Sequence, residues 1–185
     1  MSILNEKTEV NKKIIHLMIT NRCARNCNDC CNKLYSINEI PIVTARELLE
    51  CDMLFLTGGE PFLYARPNSY AEVVKAFFPN IKKVIVYTNA IELRDYLDNG
   101  NKIDFIDGVT VSIKCKADFD AFTNIRLNES INKLSSNRLY VFNEELVPKE
   151  FGNFDYMPRE WKSVEKDEWR PSPDSIFRRL ITVGE

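Results

Sequence analysis

The sequence predicts an α/β fold, a parallel sheet curved into a partial barrel of about five to six strands. Two observations carry that expectation. Short apolar, β-branched runs alternate with amphipathic helical segments across residues 14–142, the order that builds right-handed βαβ units. Within the runs one parity is uniformly apolar, while the other turns polar toward the C-terminal end. That is the pattern of a sheet with helices on one face and a wetter concave surface on the other.

Residues 14–20 (IIHLMIT) form the first strand, and a cysteine-bearing loop follows directly. Residues 44–51 predict a helix, because Thr44 and Glu47 make a capping-box pattern ahead of Leu48 and Leu49. Residues 52–57 (DMLFLT) are the second strand, closed by Gly58-Gly59. A helix over 69–78 places Val73, Val74 and Phe77 on one face and stops at Pro79. Residues 81–89 are the third strand, 92–97 a short helix and 108–114 (GVTVSIK) the fourth strand. Helices over 117–125 and 129–134 lead to a fifth strand at 138–142 (RLYVF). By period two, Ile15, Leu17, Leu54, Leu56, Val84, Val86, Val109 and Val111 face the helix layer. His16, Met18, Phe55, Tyr87, Asn89, Thr110, Ser112 and Lys114 then face the concave side, where parallel sheets place ligands at the strands' C-terminal ends.

The chain has 185 residues, which fits one domain with a core over about 14–142 and an extension over about 143–185. The extension carries Pro148, Pro158, Pro171 and Pro173 with Trp161 and Trp169, and reads as a segment running over the surface, as a lid or as a partner contact. The net charge of −2, with both signs interspersed, gives nucleic acid no electrostatic footprint. No apolar run approaches the roughly 20 residues of a membrane span, and the N-terminus lacks a signal-peptide pattern, so a soluble cytoplasmic protein is expected. His16 is the sole histidine, which excludes histidine-rich zinc sites and leaves any Ser-His-Asp or Cys-His device resting on that one imidazole.

Four of the six cysteines, Cys23, Cys27, Cys30 and Cys31, fall within nine positions, a poor way to staple distant segments. Cys23, Cys27 and Cys30 form a C-x3-C-x2-C run whose three thiolates can grip three corners of an iron–sulfur cube and leave one iron open. Zinc would demand a fourth ligand. Cys31 is expected to point elsewhere, and Cys51 and Cys115 are distant. An Fe–S site is the first reading, with a zinc site and a redox-regulatory or inert thiol set beside it. At the end of the next strand, Gly58-Gly59 lets a ligand approach the main chain and Glu60 supplies an acceptor for an ammonium group.

Together these features resemble the radical S-adenosylmethionine superfamily: C-x3-C-x2-C after the first strand, GGEP (58–61) after the second, YTNA (87–90) ending the third and VSIK (111–114) on the fourth. The resemblance covers about residues 14–142 and implies that Cys23, Cys27 and Cys30 hold a [4Fe-4S] cluster. It implies that S-adenosyl-L-methionine chelates the open iron, with Gly58, Gly59 and Glu60 receiving its amino group and Asn89, Ser112 and Lys114 contacting ribose or carboxylate. The implied activity is reductive cleavage to a 5′-deoxyadenosyl radical that takes hydrogen from a small-molecule or peptide substrate. An external one-electron donor of flavodoxin or ferredoxin type is implied as partner. Asp29 stands where most members carry an aromatic residue, and the shortness of the chain and the Cys30-x-Asn32 step resemble glycyl-radical-enzyme activases. Two alternatives therefore stand: such an activase acting on a glycyl-radical protein, and a non-catalytic zinc or Fe–S interaction module.

Overall fold

The structure, a computed structural model, describes residues 13–27, 30–159 and 175–183. Seven strands make one sheet: β1 (Ile14–Thr20), β2 (Met53–Gly58), β3 (Lys83–Asn89), β4 (Gly108–Ile113), β5 (Asn137–Val141), β6 (Phe154–Pro158) and β7 (Ser175–Arg179). Their spatial order is β6-β5-β4-β3-β2-β1-β7, and every neighbouring pair runs parallel. The helices are α1 (Ala45–Leu49), α2 (Pro61–Tyr64), α3 (Pro67–Phe77), α4 (Ala90–Asp98), α5 (Lys116–Ile125) and α6 (Glu129–Asn132).

Local chemistry explains where the helices begin. Thr44 caps α1 by accepting from the Glu47 amide, and Glu47 returns the bond to Thr44, completing the expected capping box. Asn89 ends β3 and caps α4 in the same step, its side-chain oxygen accepting from the Glu92 amide at 3.0 Å. Proline opens α2 and α3, supplying a preset φ where an amide has no partner to lose. Accordingly α3 starts at Pro67 rather than at residue 69.

The helices lie on one face of the sheet. Ile15, Leu17, Leu54, Leu56, Val84, Val86, Val109 and Val111 are buried against helix residues such as Leu48, Val74, Leu93, Phe122 and Ile131. The expected parity holds on every one of these strands. On α3 the inward face is Pro67, Ala71 and Val74, while Val73 and Phe77 are exposed, Phe77 by 73%. The expected Val73–Val74–Phe77 face is thus corrected: the helix turns its 67/71/74 stripe to the sheet.

On the opposite face, side chains converge. Rings two strands apart would stand about 9.6 Å apart on a flat sheet, twice the strand spacing. The His16 and Tyr87 centroids on β1 and β3 are 5.6 Å apart, and those of Tyr87 and Tyr140 on β3 and β5 are 6.2 Å apart. This convergence fits a concave surface, compatible with a partial-barrel α/β fold.

Two strands come from the segment that the sequence suggests is an extension. β6 pairs with β5, and β7 pairs with β1, so residues beyond 142 complete both edges of the sheet instead of only running over it. Pro158 closes β6 on an edge, where a missing amide costs no ladder bond. Trp161, Trp169, Pro171 and Pro173 lie outside the described residues. Among the described residues no helix is long and apolar enough to cross a membrane.

Candidate functional site

The cysteine loop leaves β1 at Thr20 and meets the turn that closes β2, the adjacent parallel strand. The two segments are joined by backbone bonds, Gly59 N–H to the Thr20 carbonyl and Glu60 N–H to the Arg22 carbonyl, both 2.8 Å. A β-carbon on Gly58 would lie 1.9 Å from the Thr20 carbonyl oxygen, and one on Gly59 would lie 1.9 Å from that of Arg22. Gly58 also sits at φ +130°, a conformation that side chains resist. The glycine pair therefore serves first to let the cysteine loop close onto the turn.

Side chains fasten the loop at three further points. The Asn32 amide donates to the Gly58 carbonyl at 2.8 Å, and the Tyr35 hydroxyl donates to Asn32 Oδ1. Arg22 lies over the Tyr64 ring at 4.5 Å. Arg25, between Cys23 and Cys27, makes a fork on Asp118 in the first turn of α5, at 2.8 and 2.5 Å. The Asp118 side chain is fully buried and also accepts from the Lys114 amide at 3.0 Å. Asp118 has a sequence signal, an acid in the first turn of a helix, but nothing in the sequence pairs it with Arg25.

Glu60 is 3% exposed, and its carboxylate is fully engaged. It accepts from the Thr88 hydroxyl at 2.6 Å, the Asn89 side-chain amide at 2.6 Å, the Asn89 backbone amide at 3.1 Å and the Phe62 amide at 3.3 Å. Burial pushes its carboxyl up to about 7 despite these donors. Glu60 thus knots the C-terminal ends of β2 and β3, and Asn89 is held in the same knot. The Gly59 carbonyl, by contrast, accepts no hydrogen bond from a described residue.

Of the three run cysteines, Cys23 is exposed and Cys27 and Cys30 are half-buried. Partial burial raises the Cys23 thiol, with smaller help from the charges of Glu60, Cys30 and Cys27. The Cys31 thiol donates to Asn32 Oδ1 at 3.9 Å, and the adjacent Cys31, helped by the Asn32 amide, brings the Cys30 thiol down to about 6. Cys51 is buried behind the sheet, its thiol donating to the Met53 carbonyl, and burial lifts it to about 11. Among the described residues no three His, Cys, Asp or Glu side chains converge on a point, as a single metal ion would require. A cube offers separate corners and asks each thiolate to reach only one of them.

Ser112 lies near the C-terminal end of β4 and Lys114 one residue beyond it, two places further along the chain. Ser112 pairs in register with Asn89 on β3 and Tyr140 on β5. Deeper on this face His16 stacks on Phe55 at 4.7 Å, and burial, with the charge of Arg138, lowers its imidazole to about 4. His16 is therefore neutral and packed, which sequence reasoning left open. No protein-family model matches the chain, and no curated protein matches it.

Proposed function

We propose that the chain is a radical S-adenosylmethionine enzyme in which Cys23, Cys27 and Cys30 hold one [4Fe-4S] cluster. One observation carries the reading: the segment bearing the three cysteines is tied to the Gly58-Gly59-Glu60 turn on both sides, by backbone bonds at Thr20 and Arg22 before it and by the Asn32 side chain after it, at the C-terminal ends of adjacent parallel strands. Two motifs that are each weak alone thereby become one construction. When bound, the cluster supplies the electron that splits the sulfonium of S-adenosyl-L-methionine and so yields a radical able to take hydrogen from substrate.

The chain's own residues would bind and orient. The Gly59 carbonyl is open to the methionyl ammonium, and Glu60 presents that carbonyl by anchoring the turn to Thr88 and Asn89. Ser112 and Lys114 stand at the neighbouring strand end, where ribose and carboxylate groups of the same cofactor would lie. A flavodoxin- or ferredoxin-type protein would deliver the electron, and the hydrogen donor is a small molecule or peptide.

Anaerobic reconstitution with iron and sulfide tests this. The expected product is a brown protein with four irons per chain that, given a strong reductant, converts S-adenosyl-L-methionine into methionine and 5′-deoxyadenosine. A colourless protein that takes up zinc instead would sink the reading.

A further inference from the structure

We propose that the concave face binds an anionic substrate, a carboxylate or a phosphate, through the guanidinium groups of Arg138 and Arg159. The proposal names the substrate class for the site described above and rests on that reading.

Arg138 leaves β5 and crosses the concave surface to lie 5.3 Å from the Phe55 ring centroid on β2, close enough to His16 to oppose its protonation. Arg159, just beyond β6, lies 4.3 Å over the Tyr140 ring. Among the described residues neither guanidinium forms an ion pair. Asp155 stands opposite Arg138 in the β5–β6 register, yet it is exposed and makes no ion pair with it. Contact with a ring face compensates a half-buried cation such as Arg138 by only about 0.5–2 kcal/mol, and a charge drawn from water is ordinarily matched by a counter-charge, whereas Arg159 is exposed and offers a second guanidinium at the rim of the same face.

A second observation points to the same place. Thr110 lies on β4 between Tyr87 and Arg138 in register, fully buried, and its hydroxyl has no hydrogen-bond partner. Buried hydroxyls are nearly always satisfied, so this one marks where a ligand oxygen or a water carried with it belongs. Contact with a ring consumes no N–H group of a guanidinium, so both retain donors for the fork geometry that carboxylate and phosphate oxygens match. An uncharged backbone glycine would leave both cations without a counter-charge among the described residues, so the face suits a small anion better than an activase's protein substrate.

The test uses the full-length chain without metal, titrated with inorganic phosphate and separately with acetate, while NMR follows the arginine Nε–Hε signals. Saturable shifts of the Arg138 and Arg159 signals are expected with at least one anion, phosphate alone indicating a phosphate-bearing substrate and acetate alone a carboxylate. Arg159→Gln, at an exposed position that folding tolerates, should weaken binding by about tenfold. No saturable shift with either anion, or equal affinity in Arg159→Gln, overturns the proposal. Because the titration contains no iron, a negative result here is separate from failure of cluster assembly, which would overturn the enzymatic reading instead.

Discussion

Arg25, inside the cysteine loop, is clamped by the buried carboxylate of Asp118 at the start of α5, so the loop after β1 is anchored to the helix after β4. The bridge spans the mouth of the sheet and orders a segment with few other backbone bonds. Removing one member leaves the other charge unmatched. Asp118→Asn should cost about 3 kcal/mol in denaturant unfolding. Arg25→Lys, which keeps charge but loses the fork, should cost less; equal stability of Asp118→Asn and the parent would show that the pair does not hold the loop.

The thiol set separates by position. Alanine at Cys23, Cys27 or Cys30 should abolish stoichiometric [4Fe-4S] binding, measured as iron and sulfide per chain, whereas alanine at Cys51 or Cys115 should not. Cys31→Ala should keep the cluster, yet raise the Cys30 thiol of the metal-free protein from about 6 toward its ordinary range, because the influence of the adjacent Cys31 thiol is lost. Ultraviolet thiolate absorbance against pH reads that shift. Cluster loss in Cys31→Ala with retention in Cys27→Ala would reverse the ligand assignment.

Two glycines with positive φ should respond differently to alanine. At Gly100, φ +75°, nothing lies within 4 Å of an added β-carbon, so only backbone strain of about 1–2 kcal/mol is expected. At Gly58 the β-carbon would also meet the Thr20 carbonyl, which cannot yield without moving the cysteine loop. Gly58→Ala should therefore destabilise more than Gly100→Ala and lose cluster binding as well. Similar midpoints in a thermal melt would contradict this.

His16 gives stability a definite pH slope. Its native imidazole titrates at about 4, below the ordinary 6.5, so between these values the unfolded chain binds the extra proton and stability rises with pH. The contribution is fully present above 6.5 and is lost as pH falls to about 4, on the order of 3 kcal/mol. Glu60, raised to about 7, slopes the other way between its ordinary value of 4.5 and 7. These two contributions oppose each other over 4.5–6.5, so His16→Phe, which preserves the stack on Phe55, should lose stability with rising pH there more steeply than the parent. A flat curve for that variant would remove His16 from the balance.

Much of this architecture is readable from residue order. Strand parity holds because successive side chains leave opposite faces of a strand, so Val109 and Val111 join the core under the helices while Thr110 between them does not. The cysteine run and Gly58-Gly59 are local patterns and stand out at once. What stayed hidden depends on pairs far apart in the chain, such as Arg25 with Asp118 and Arg138 with Phe55, which no local period encodes. The strands β6 and β7 were obscured for a different reason. Phe154 and Tyr156 alternate as an edge strand should, but the prolines, tryptophans and charges around them carry the composition of a loop.

The pairing of β7 with β1 bears on how the chain acquires its shape. Ile14, in the first strand, finds one lateral neighbour at Met53 but the other only at Ser175. During synthesis the outer edge of β1 emerges early and stays unpaired until nearly all the described chain has left the ribosome. An open parallel edge is a template for mispairing, and contacts this distant in sequence slow the final closure. Nascent chains halted before residue 175 should consequently engage holdase chaperones through β1, and release them once β7 is available.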